Sequence, residues 1–184
     1  INNELANNIG NFVNRCLTFF YKNWTDGIDA KHFESFFQSD SFKSLKTNMN
    51  EYHTLLDNVQ IKKGLEHVMA LGQEANTYFS DRAPWAQIKE DNDAAAETIA
   101  HSAIYAFTLG CLFKPYLPEL SSKILAYFGD LPNSIYSKTY QGDFSELQEL
   151  LSNKFTLAKK PKGLVKKVEA DRIKELVEEL KVKA

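Results

Sequence analysis

The sequence predicts an all-α fold. Three observations carry that prediction: apolar residues recur at spacings of three and four through nearly every segment, no segment sustains a period of two, and Gly or Pro punctuates the longer runs. With 184 residues, 43% of them apolar and 25% charged, the chain suits one compact domain with a real core. No stretch approaches the ~20 consecutive apolar residues of a membrane helix. The most apolar segment, Ala100 to Leu120, is broken by Thr108, Gly110, Lys114 and Pro115.

The first helix is expected from Glu4 to Phe20, with Leu5, Ile9, Phe12, Cys16 and Phe19 forming its buried stripe. Asn11 and Arg15 sit off that stripe, about 40° apart on a polar flank, with Asn8, Thr18 and Lys22 nearby. Asp29 opens a short helix through Phe37. Asp40 or Ser41 then caps a helix whose stripe is Leu45, Met49, Tyr52, Leu55, Leu56 and Val59. A fourth helix runs from Ile61 to Phe79, placing Leu65, Val68, Met69, Gly72, Ala75, Asn76 and Phe79 at helical spacing.

Pro84 fits a first helical turn, so Trp85 opens a short helix ending near Lys89. The acidic turn Glu90 to Asp93 leads into Ala94 to Phe113, the most apolar helix and the expected centre of the bundle. Pro118 starts another helix through Tyr127, residues 129–143 read as loop, and Ser145 to Ser152 as a last short helix. Beyond the bundle, taken as residues 1–158, Lys159 to Gly163 reads as a basic linker. Leu164 to Val168 is expected to be extended and Asp171 to Lys181 to form a charged helix. Its thin seam of Ile173, Leu176, Val177 and Leu180 needs a partner surface.

Charge is divided unevenly. Residues 154–184 carry ten Lys/Arg and five Asp/Glu, a net +5, against −7 for residues 1–153. An acidic body argues against broad binding of nucleic-acid backbone, which needs a basic stripe. Cys16 and Cys111 lie in apolar helical contexts and read as reduced core residues of a cytoplasmic protein. The four histidines are scattered without metal-ligand spacing, Asp91 and Asp93 lack the Gly and closing Glu of a calcium loop, and no Gly-rich phosphate loop occurs. No catalytic residue and no metal or cofactor site is expected.

An amide and a guanidinium side by side can read a base edge, and a tryptophan can stack on a base face. Asn11, Arg15 and Trp85 supply those groups. A solvated polar flank for the first two, and a packing anchor for Trp85, account for the same residues without any ligand.

The stretch Glu4-Leu5-Ala6-Asn7-Asn8-Ile9-Gly10-Asn11-Phe12-Val13-Asn14-Arg15 resembles the opening helix of the anticodon-binding domain of methionyl-tRNA synthetases. Ala75-Asn76-Thr77-Tyr78-Phe79 followed by Ala83-Pro84-Trp85, and the break Phe113 to Glu119, resemble later hallmarks of that family. The tail from Leu164 is similar to the family's closing segment, although Lys162-Gly163-Leu164-Val165 stands where relatives often have Pro-Leu-Phe.

The resemblance implies that Asn11 and Arg15 hydrogen-bond the first base of a CAU anticodon, that Trp85 stacks on it, and that Asn76 supports the pocket. It implies methionine tRNA as partner, with no DNA or membrane. It also implies a catalytic domain elsewhere in the same polypeptide that binds ATP and methionine, since this chain begins without Met and holds no nucleotide-binding signature. On that reading the chain alone is inactive, and its tail returns toward the bundle or the catalytic domain. Two alternatives remain: the same bundle from another class I aminoacyl-tRNA synthetase, or a helical protein-interaction module without RNA.

Overall fold

A computed structural model describes residues 9–164. Among these residues nine helices follow one another: α1 Asn11–Asn23, α2 Ala30–Gln38, α3 Asp40–Asp57, α4 Ile61–Arg82, α5 Pro84–Glu90, α6 Asn92–Leu112, α7 Pro118–Leu125, α8 Asn133–Tyr140 and α9 Ser145–Leu151. The expected α-bundle is the fold. The expected helix Asp171 to Lys181, the start of the first helix and Leu5 lie outside the described residues.

Helix α6 is the axis. Of its residues from Ala95 to Leu112, all but Glu97 are buried, as befits a helix that is apolar on every side. Helices α1, α2, α4, α5, α7 and α8 pack around it. Helix α3 packs on α4 and reaches the axis through Tyr52, whose OH donates to the Leu112 carbonyl at 3.3 Å. The buried hydroxyls of α6 are satisfied along the helix: Ser102 donates to the Thr98 carbonyl at 2.7 Å and Thr108 to that of Ile104 at 2.9 Å. Asp91 accepts from the Ala94 amide at 3.0 Å, so the acidic turn before α6 works as its cap.

Several boundaries differ from the sequence expectation. The cap of α3 is Ser39, whose Oγ accepts from the Phe42 amide at 3.2 Å; Asp40 already lies inside the helix. The buried face of α1 is wider than one stripe, because Val13, Leu17 and Phe20 join Phe12 and Cys16, with Ile9 buried just ahead of the helix, while Phe19 is only partly covered. Val59 leaves the α3 stripe: it is 78% exposed, with a left-handed φ of 58° in the turn to α4. Residues 129–143 are not simply loop. Asn133–Tyr140 is helical, with Ile135 and Thr139 buried and Tyr136 stacked on Phe107 at 5.8 Å. Helix α7 ends at Leu125, two residues short of Tyr127.

Two close approaches place α1. Gly72 on α4 meets Ile9 so tightly that a Cβ there would lie 2.5 Å from Ile9 Cγ1. At the other end, Ile28 and Phe155 exchange backbone hydrogen bonds of 2.9 and 3.0 Å beside Gly27, whose φ is +97°. The chain after α9 folds back onto the bundle: Tyr127 OH donates to the Lys162 carbonyl at 2.8 Å, and Leu164 is buried.

Candidate nucleic-acid interface

The last turns of α4, the turn that follows and the polar flank of α1 meet at one point. Phe79 is 1% exposed and packs edge-on against Phe12 of α1, with ring centroids 6.0 Å apart. The chain then reverses at Ala83, which takes a left-handed conformation (φ 45°, ψ 62°). Its carbonyl accepts from the amides of Ala86 and Gln87 at 2.8 and 3.1 Å, so α5 begins at once with Pro84 in its first turn. This reversal brings Trp85 back over Phe79, with centroids 5.8 Å apart and planes at 63°.

Arg15 completes the group. Its guanidinium carbon lies 5.1 Å from the Phe79 centroid and 5.1 Å from the Trp85 centroid. A flat cation over two ring faces is held by their negative quadrupoles, at about 0.5–1 kcal/mol per exposed pair. Among the described residues no carboxylate pairs with Arg15. Trp85 remains 41% exposed although two groups pack on it, so ring surface faces solvent.

Asn11 is exposed at the start of α1, one turn before Arg15. Asn76 is half-buried on α4, one turn before Phe79, and its Oδ1 is sheltered without a hydrogen-bond partner among the described residues. The structure thus joins Arg15 and Trp85 directly. Asn11 adjoins Arg15 along α1, and Asn76 adjoins Phe79 along α4. Helical spacing marks Phe79 as a core position but does not reveal its place beneath both side chains. Only the reversal at Ala83 creates that place.

A second polar group lies one residue away on α4. Tyr78 OH lies 3.1 Å from His101 Nδ1, and His101 Nε2 lies 2.8 Å from Ser35 Oγ. Ser35 spends its own proton on the His32 carbonyl at 3.0 Å, so Nε2 carries the imidazole hydrogen and Nδ1 accepts from Tyr78. Burial keeps this imidazole neutral, with its pKa lowered to about 4, and pushes the Tyr78 phenol up to about 12. The network ties α2, α4 and α6 together. Among the described residues no cluster of His, Cys, Asp or Glu could hold a metal ion, and no helix is long and apolar enough to cross a membrane.

Comparison with known proteins gives this geometry a context. A family model described as the anticodon binding domain of methionyl tRNA ligase matches residues 37–183. Methionine–tRNA ligase of Methanococcoides burtonii is 29% identical over 176 residues, covering 96% of this chain and 24% of the relative, a span that takes in α1. Methionine–tRNA ligase of Pyrococcus abyssi is 35% identical over 125 residues, covering 67% of this chain and 17% of the relative. The chain therefore spans no more than about a quarter of these relatives. A crystal structure of Mycobacterium tuberculosis methionyl-tRNA synthetase bound by methionyl-adenylate shares the fold, with a TM-score of 0.67 and 22% identity over 89% of this chain and 32% of that one.

Proposed function

The chain belongs to the family of anticodon-binding domains of methionyl-tRNA ligases, and from that premise we propose that it reads the CAU anticodon of methionine tRNA. The observation that carries this reading is the Arg15 guanidinium, 5.1 Å from Trp85, beside tryptophan surface left open to solvent. A nucleobase needs two things from a reader: a flat apolar surface for its face and fixed donors or acceptors for its edge. Trp85 supplies the first and Arg15, with Asn11, the second.

Cytosine presents a carbonyl and a ring nitrogen as acceptors and an amino group as donor. Arg15 has donors alone and suits the acceptors, while an amide such as Asn11 can meet the amino group. Asn76 takes a supporting part, because its sheltered oxygen has no donor among the described residues. Stacking contributes about 1–3 kcal/mol per base, so a few groups can discriminate without a basic surface. In the complete enzyme, on this reading, ATP-dependent joining of methionine to the tRNA belongs to the catalytic part of the polypeptide. The present chain contributes recognition and no cofactor, and the enzyme works in the cytoplasm.

The test is filter binding of an anticodon stem-loop carrying CAU against one with a changed first base. Preferential retention of the CAU loop is expected, and equal retention of the two would overturn the reading. The same assay, with an isoleucine tRNA stem-loop as a third arm, separates it from recognition by a related class I bundle.

A further inference from the structure

Phe79 forms the floor beneath Arg15 and Trp85. We propose that it is a specificity-determining positioning residue, which sets the orientation of Arg15 and thereby the choice of the first anticodon base. This rests on the base-reading role of Arg15 and Trp85 proposed above.

A guanidinium lying over one ring is held near that face but can still slide and turn across it. Two rings inclined at 63° form a corner, and a planar cation equidistant from both, at 5.1 Å, is restricted in position and in tilt. The corner is tied to the interior, because Phe79 rests edge-on against the fully buried Phe12. Arginine also loses much rotamer freedom on ordering, so a side chain ordered before the base arrives loses less on binding. Placement of donors to within a fraction of an ångström is what separates reading a base from merely attracting it.

Leucine at position 79 fills much of the same volume but offers no π-face. Arg15 would then rest on Trp85 alone. The competing account is that Phe79 is a core residue whose loss loosens the whole bundle. Phe107 provides the control: it is fully buried in α6, packed on Phe128 at 5.1 Å and on Tyr136 at 5.8 Å.

The experiment compares Phe79→Leu, Phe107→Leu and the unsubstituted chain, each assayed below its melting temperature. The quantity read is the ratio of dissociation constants for the CAU stem-loop and the loop with a changed first base. Phe79→Leu is expected to shrink that ratio by roughly three- to tenfold, the range of losing one cation–π contact, while Phe107→Leu leaves it intact. An unchanged ratio in Phe79→Leu, or an equal loss in Phe107→Leu, would overturn the inference while leaving base reading in place. Lack of discrimination by the unsubstituted chain would remove both. Proton NMR of Arg15 without RNA gives a second readout: ring-current shifts of its side-chain protons should fall in Phe79→Leu, and unchanged shifts would also overturn the inference.

Discussion

Arg15 occupies a place that a lysine would not serve. A planar guanidinium can stack on ring faces and keep donors on its edge for a ligand, whereas an ammonium is a compact, strongly hydrated point. Arg15→Lys should therefore weaken CAU stem-loop binding by about tenfold while lowering stability by no more than ~1 kcal/mol, the range of a weakened cation–π contact. Filter binding and thermal melts of the same samples check both halves. Trp85→Ala should behave similarly, with a binding loss of about 1–3 kcal/mol and a modest change in melting temperature. A large fall in melting temperature with RNA binding intact would favour the role of packing anchor, which its 41% exposure already makes a poor description.

Helix α5 exists in its position because of one backbone reversal. Ala83 holds a conformation that costs an L-residue about 1–2 kcal/mol and a glycine little. Ala83→Gly should raise stability by several tenths of a kcal/mol, and the β-branched Ala83→Val should lower it and detach Trp85 from Arg15. Urea melts with Trp emission as the probe distinguish the two. Gly72→Ala should likewise destabilise the packing of α1 on α4, since the added methyl meets Ile9. Elements with their own periodic stripe are legible in the sequence, and so are the proline start of α5 and the fully apolar α6. Helix α8 is not, because Asn133-Ser-Ile-Tyr-Ser-Lys-Thr-Tyr140 is mostly polar and is held by packing on Phe107 and by the contact of His53 with the Tyr140 carbonyl. The α3 cap is hidden because Ser39 ends α2 as well: its Oγ donates to the Phe36 carbonyl and accepts from Phe42. Two abutting helices leave no gap for a pattern to reveal. For the candidate site, residue types are readable, but the meeting of Arg15 with Trp85 across 70 positions depends on tertiary packing alone.

At the scale of the whole molecule, the His101 network sets a pH dependence. His101 ordinarily titrates near 6.5, and in the fold near 4, so between these values the unfolded chain binds a proton that the native one refuses. Stability from this group is complete above pH 6.5 and declines as pH falls toward 4, by on the order of 3 kcal/mol in all. His101→Gln should lower stability at pH 7 and flatten that slope, which urea melts across pH 4–7 measure. The net −7 on residues 1–153 makes a further prediction: stem-loop affinity should fall only shallowly with salt, in contrast to proteins that neutralise many phosphates. A shallow slope also means little long-range steering, so encounters between this surface and RNA would occur at an unassisted rate. Once the two have met, on the proposed reading, the corner of rings around Arg15 governs the outcome. With the cation already seated and tryptophan surface exposed, a base can land without waiting for a side chain to rearrange. Stopped-flow traces should then show a single phase whose rate rises linearly with RNA concentration, and discrimination among bases should be written in how long each one stays.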